Sequence, residues 1–261
     1  RGSDGLTARN LRLGNDQFNL QADGTFATGT ANFRFDAALE NMALLSENAS
    51  GRVTAAGRAE GADGRINLTF KADAPRGTLS GRDLSDATLG FDGQLEKQVL
   101  TGAIDGNAFL AGERVDLASR IVLSPEQRQL TEFAFRAGGA TASGNLIQDV
   151  NKNLIDGRVN LEAADISTAA ALFLREATGS VEADVSLSPV DERQIADVNA
   201  TIRNLEIEET RVSSATVAAT IEDLFGVPAA VGSITARDVR AGGIAITQLD
   251  ANARQNGDAT D

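Results

Sequence analysis

The sequence predicts an all-β protein, an elongated and repetitive one-sided sheet with two short helices. Three observations predict it. Apolar and polar residues alternate with period two along most of the 261 residues. Glycine is abundant at 26 residues and proline scarce at 4, so strands are short and punctuated by turns. Only two stretches, residues 39–45 and 166–175, carry helical spacing.

The clearest stretch is residues 51–73, GRVTAAGRAEGADGRINLTFKAD. Ile66, Leu68, Phe70 and Ala72 point one way, and Asn67, Thr69, Lys71 and Asp73 the other. Residues 61–64 (GADG) supply turn chemistry, which predicts a hairpin pairing Glu60 with Arg65, Ala59 with Ile66, Gly57 with Leu68, Ala55 with Phe70 and Val53 with Ala72. Large residues then face small ones at most rungs, leaving shallow gaps beside the large side chains.

Taken in order, residues 6–13 form a strand in which Leu6 and Ala8 give way, after a slip, to Leu11 and Leu13. Phe18, Leu20 and Ala22 form the next, and Asp23-Gly24 predicts a hairpin turn. Phe26 and Thr28 follow, then Phe33 and Phe35. The switch from even to odd positions predicts a bulge near Gly29. Residues 39–45 (LENMALL) read as a helix of at most two turns. Alternation resumes through Ala87, Leu89 and Phe91 and continues to Phe133 and Phe135. Residues 166–175 (ISTAAALFLR) read as an amphipathic helix capped by Asp165 or Ser167, with Ile166, Ala169, Ala170, Phe173 and Leu174 on one stripe and Gly179 beyond its end. Strands then run to residue 253, with one helical turn expected at 222–225. The total is about 18–20 strands.

Composition excludes several functions. Cysteine, histidine, tryptophan and tyrosine are absent, and Phe (11 residues) is the only aromatic. The usual general base, the thiol nucleophile and the commonest zinc ligands are therefore missing, and no cofactor is implied. A net charge of −13 argues against nucleic acid and against anionic membrane surfaces. No apolar run is long enough for a transmembrane helix. No phosphate loop, dinucleotide fingerprint or nucleophile elbow occurs, and no acidic cluster stands out as a catalytic pair, so an enzyme is not expected. Residues 149–153 (DVNKN) begin like a calcium loop, but Leu154 replaces its glycine and Asn160 its final glutamate; a plain Asx turn is the simpler reading. Three Asn-x-Ser/Thr triplets, at Asn48, Asn67 and Asn199, sit in or beside strands.

A phrase recurs. Thr7-Ala8-Arg9-Asn10-Leu11 is echoed by Thr201-Ile202-Arg203-Asn204-Leu205 and by Thr235-Ala236-Arg237-Asp238-Val239, with Arg82-Asp83-Leu84 as a fragment. The last two copies lie 34 residues apart, Arg203 to Arg237. That interval suggests a solenoid-like repeat of three to four strands.

A one-sided sheet of this length needs a cover for its apolar face. Two small helices cannot supply it. Either the sheet closes on itself as a sandwich or solenoid, or it leaves a groove. A groove of aliphatic and small residues suits acyl chains, since each buried CH₂ contributes ~0.8 kcal/mol without directional bonds.

Strand openings such as Gly51-Arg52-Val53, Gly64-Arg65-Ile66 and Asp156-Gly157-Arg158-Val159, with the insert Ala164-Asp165-Ile166-Ser167-Thr168-Ala169-Ala170 between strands, resemble the TamB-like members of the AsmA-like family. The likeness runs over nearly the full length. It implies a β-taco, a sheet curled into a U-shaped trough that is apolar inside. It implies a periplasmic location within an inner-membrane-anchored protein of the Gram-negative cell envelope. It further implies phospholipid transport between the two membranes, support of outer-membrane protein assembly, and TamA as the outer-membrane partner of the full-length protein. On this reading residues 1–3 are a cloning remnant, 4–253 a single trough segment taken from the middle of the protein, and 254–261 a polar tail. The groove lining would be Phe26, Phe33, Phe35, Ile66, Leu68, Phe70, Leu89, Phe91, Phe133 and Phe135, in contact with phospholipid acyl chains. The competing reading is a closed β-solenoid of structural or adhesin type with no lipid groove.

Overall fold

The structure is a computed structural model that describes residues 5–253; the expectations for residues 1–3 and 254–261 lie outside them. The described residues are all-β, with seventeen strands, one 3-10 turn and one short α-helix. They group into two compact units that divide between Ala137 and Gly138.

The first unit is an antiparallel meander. Strands β1 (Leu6–Gly14), β2 (Phe18–Ala27) and β3 (Thr30–Leu39) pair in succession. β4 (Ala49–Gly51) and β5 (Val53–Ala62) together line one side of the long β6 (Arg65–Leu79), and β5 also pairs with β3. β7 (Arg82–Glu96), β8 (Val99–Leu110), β9 (Glu113–Leu123) and β10 (Gln127–Ala137) continue the ladder.

The alternation read in residues 65–73 holds. Ile66 is buried, Leu68, Phe70 and Ala72 are partly buried, and Asn67, Thr69 and Lys71 are exposed. The hairpin register differs from the expected one by two residues. The turn is Asp63-Gly64 alone, with φ of 54° and 83°, the left-handed pair that a two-residue hairpin requires. Ala62 therefore pairs with Arg65, Gly61 with Ile66, Ala59 with Leu68 and Gly57 with Phe70. A shift of two keeps every side chain on its face, so the pattern survives although the partners change.

Asp23-Gly24 is not a turn. β2 runs straight through it, and the chain reverses at Thr28-Gly29. Gly24 has φ 116°, and a Cβ there would collide with the Asn32 carbonyl of β3. Glycine is used at this point for a close backbone approach. The even-to-odd switch needs no bulge near Gly29, because Phe26 pairs with Ala31 and Gly24 with Phe33 across an ordinary two-residue reversal. The first expected helix shrinks to a 3-10 turn, Met42–Leu44, while Leu39 ends β3. The Asn41 side chain caps that turn by accepting the Ala43 N–H at 3.0 Å.

The second unit repeats the architecture. β11 (Ala140–Asp149), β12 (Leu154–Ala163), β13 (Ala177–Val190), β14 (Arg193–Ile207), β15 (Thr210–Glu222), β16 (Ala229–Ala241) and β17 (Ile244–Ala253) pair in chain order, each antiparallel to the next. The helix α1 (Ser167–Leu172) is shorter than expected. Its entry is tied by Asp165, which accepts the Ser167 N–H at 2.8 Å and the Ser167 hydroxyl at 2.9 Å. Its exit comes at Leu174, φ 57°, where Leu174 and Arg175 donate back to Ala171 and Ala170. That reversal precedes Gly179, which lies inside β13, and it leaves Phe173 74% exposed instead of on a buried stripe. Residues 222–225 make a turn instead of a helical one: Asp223, φ 52°, takes the Gly226 N–H on its carbonyl and the Val227 N–H on its carboxylate.

The side chain of Gln194 is almost fully buried. Its Oε1 accepts the Ile155 N–H at 2.7 Å, and its Nε2 donates to the Ile155 carbonyl at 2.8 Å. Ile155 is on β12 and Gln194 on β14, so one side-chain amide spans the strand between them and completes the ladder where β12 outruns its pairing with β13.

The recurring phrase is a bend. Asn10, Asn204 and Asp238, the same position in its three full copies, have φ of 46°, 49° and 48°. Asn10 lies where the β1–β2 register shifts, and Asn204 where that of β13 and β14 shifts. Asn and Asp tolerate the left-handed region, which makes them suited to an in-strand bulge. β14 and β16 run in the same direction with β15 between them, so the 34-residue spacing is one hairpin and not the expected three to four strands. Arg82-Asp83-Leu84 does not share the conformation; the nearby bulge residue is Asp86, φ 50°.

Candidate apolar binding face

Cross-strand pairs place one apolar face across the first unit. One row runs Phe26, Ala31, Gly61, Ile66, Leu95, Leu100; the next runs Gly24, Phe33, Ala59, Leu68, Gly93, Gly102; a third runs Ala22, Phe35, Gly57, Phe70, Phe91, Ile104. Leu89 lies in a fourth row through Gly106 and Leu117 to Phe135. Phe133 precedes Phe135 by two residues beyond the Glu132 bulge and is likewise partly buried. The structure thus brings all ten residues expected to line a groove onto one face of one unit.

The small residues in these rows are covered. Ala31, Ala59 and Ile66 are buried, with Phe26, Phe33, Leu68 and Leu95 packed against them. The ring of Phe35 occupies the place where Gly57 would carry a Cβ, and the Phe91 ring does the same for Gly93 and Gly102. Phe35 and Phe70 approach with ring centroids 6.4 Å apart. The shallow gaps expected beside Gly57 are therefore filled by aromatic rings from the neighbouring strand.

Part of the face is covered by its own side chains. The main contacts of each strand are with its ladder neighbours. Leu89 remains 40% exposed, and apart from Ile66 the other expected lining residues are only partly buried. Where β1, β2 and β3 meet, the face sinks into a hollow of about 440 Å³ lined by Leu6, Thr7, Ala8, Arg9, Leu11, Leu20, Ala22, Phe33 and Phe35. That volume is within the roughly 300–1,000 Å³ of small-molecule sites. Phe33 and Phe35 were expected there. Leu6, Leu11 and Leu20 were legible as strand residues but not as lining, because only the pairing of β1 with β2 sets them beside Phe33 and Phe35.

The second unit has a larger hollow, about 1020 Å³, over the opposite kind of surface. Its walls include Asn160, Glu162, Glu182, Asp184, Asn199, Thr201 and Thr216. These groups are solvated or answer one another: Asn160 donates to Asp184 at 2.9 Å, and Arg203 lies 3.9 Å from Glu182. The hollow over the β1–β3 face is the smaller of the two and the better suited to an apolar guest. Residues 149–153 form an Asx turn in which Asp149 accepts the N–H groups of Asn151 and Lys152. No group of acidic side chains able to hold a metal is found among the described residues, and no described helix is long and apolar enough to cross a membrane.

No family model, curated protein or solved structure matches this chain.

Proposed function

We propose that this chain works as a trough segment of a TamB-like envelope protein of the AsmA-like family, with the apolar face of the first unit serving as part of a groove for phospholipid acyl chains. On this reading the chain sits in the periplasm, the groove carries lipid between the inner and outer membranes and supports outer-membrane protein assembly, and TamA is the partner of the complete protein. The observation that carries the reading is the apolar face itself. It is continuous across the first unit and sinks into a hollow at β1–β3. Burial of acyl CH₂ groups on such a face is favourable and non-directional, so a chain can slide along it without breaking hydrogen bonds.

The test places a photo-crosslinking residue at Leu89, on the exposed part of the apolar face, and at Asp92, on the polar side of the same strand. The protein is purified from a Gram-negative host, irradiated, and analysed by mass spectrometry. Phospholipid adducts at position 89 and none at 92 are expected. Adducts at neither site, with the apolar-face amides protected from exchange, would favour the closed solenoid.

A further inference from the structure

We propose that the outer edges of β1 and β17 are complementary, and that β17 of one copy of this chain pairs with β1 of a second copy in an antiparallel, head-to-tail ladder. Strand edges make this contact, so it stands apart from the apolar-groove reading.

Among the described residues β1 pairs only with β2, and β17 only with β16. Each therefore presents an outer row of backbone N–H and C=O groups to which another strand can add. The two edges match in length, nine residues and ten, and neither carries the proline or lysine that blunts an exposed edge. Their apolar side chains are also left uncovered. Leu6 and Leu13 on β1 are 59% and 52% exposed, and Ile244 on β17 is 67% exposed. Leu11, Ile246 and Leu249 are exposed as well. Leu205 and Val239, which match Leu11 in the recurring phrase, lie on strands flanked on both sides and are partly buried.

The phrase sets the register. β15 lies between two copies of it: Ser214 faces Arg203 of β14 on one side and Arg237 of β16 on the other. β17 stands to β16 as β15 stands to β14, with Gln248 opposite Arg237. A strand added beyond β17 therefore falls where β16 lies beyond β15, and β1 carries the remaining full copy of the phrase. Placed there, Arg9 faces Gln248, and the further pairs are Leu6 with Ala251, Ala8 with Leu249, Leu11 with Ile246 and Leu13 with Ile244. All six exposed leucines and isoleucines of the two edges then meet an apolar partner. Between β15 and β16 the same places are filled by Val217 with Ile234, Ala215 with Ala236 and Val212 with Val239. Charge agrees: Arg9 and Arg12 are the only charged residues of β1, and Asp250 is the only one of β17. In this register Asp250 lies diagonal to Arg9, within reach of a long side chain. Because the two edges differ, the contact is heterologous, and each copy keeps one edge free for the next.

The experiment follows the weight-average mass of the full chain by sedimentation equilibrium over a concentration series, with circular dichroism to confirm folding. The wild-type mass should rise with concentration. Leu11→Lys blocks one edge and Ile246→Lys the other, so each variant alone should stay at the monomer mass. Mixed in equal amounts, they should give a dimer and nothing larger, because each retains the edge that the other lacks. A second measurement reads the register. The chain has no cysteine, and opposed residues of an antiparallel pair lie about 4.5–5.5 Å apart at Cα, within disulfide reach. Under mild oxidation Leu13→Cys protein should cross-link to Ile244→Cys protein and not to Leu249→Cys protein. A wild type that stays monomeric overturns the proposal and leaves the apolar-groove reading untouched, since lipid adducts at position 89 are read separately. A lysine variant that still associates by itself, a mixture that stays monomeric, or equal cross-linking at positions 244 and 249 overturns it as well.

Discussion

The two units share one strand pattern and differ in what they do with its apolar side. Every phenylalanine that lies in a strand belongs to the first unit; the second has only Phe173 and Phe225, both in connections. Its corresponding row reads Ala142, Leu161, Ala183, Ala200, Val217, Ile234. Rings in the first unit lie over glycines of adjacent strands and leave relief between them, and the hollow there is over the apolar face. The second unit's face is built from small and aliphatic side chains without rings, and its hollow is over the polar one. Alternation alone therefore does not make a binding surface. In the first unit the relief comes from aromatic rings set over glycines.

Substitutions can be aimed at each unit in turn, with hydrogen exchange reporting which one loosens. The largest effect is expected from Gln194→Leu, which strands the N–H and carbonyl of Ile155. It should cost about 2–4 kcal/mol, with lost protection in β12 and β14 and none in the first unit. Loosening that begins in β5–β7 instead would contradict the division into two units. Phe91→Ala should come next, at about 2 kcal/mol, less than a core Phe because the ring is only partly buried. Val217→Ala in the second unit should cost about 1 kcal/mol; a cost equal to that of Phe91→Ala would mean the aromatic relief has no special role. Asn204→Ala should cost about 1 kcal/mol, while Asn204→Gly stays near wild type, because glycine accepts the left-handed backbone without strain.

The smallest effect is electrostatic and local to β9. The Arg114 guanidinium donates to both Asp116 oxygens, at 2.9 and 2.7 Å, and holds that carboxyl below its ordinary value. A depressed carboxyl stabilises the fold above the unfolded aspartate pKa, near ~3.9, and loses that contribution as pH falls through the folded value. The pair lies at the surface, so the readout is its own titration. By NMR, Asp116 should titrate below the ordinary aspartate value, and Arg114→Gln should raise its midpoint; an unmoved midpoint would remove the assigned cause.

What could be read from the sequence was whatever depends on one strand at a time. The faces of residues 65–73 were visible because burial is written in alternate positions. Asp23-Gly24 misled because the pair that makes a tight turn also suits a strand pressed against its neighbour's backbone. The filling of the Gly57 gap by Phe35 was hidden, since the ring comes from β3 and the gap from β5. Gln194 gave no sign of burial, because its partner lies two strands away. Asn10 was quoted only as part of a repeated phrase; that it bends the strand and returns Leu11 to the side of Ala8 shows only in the pairing with β2.

That phrase has a consequence for how such a chain can change size. Asn204 and Asp238 occupy equivalent positions on parallel-running strands one hairpin apart. Excising residues 205–238 would join Arg203-Asn204 to Val239-Arg240 and restore the same sequence of residue types at the junction. The shortened protein would keep its bend, its turn and the side assigned to every remaining residue. Span is thus quantised in whole hairpins, and a lineage could lengthen or shorten its reach by duplication or deletion without redesigning a single face.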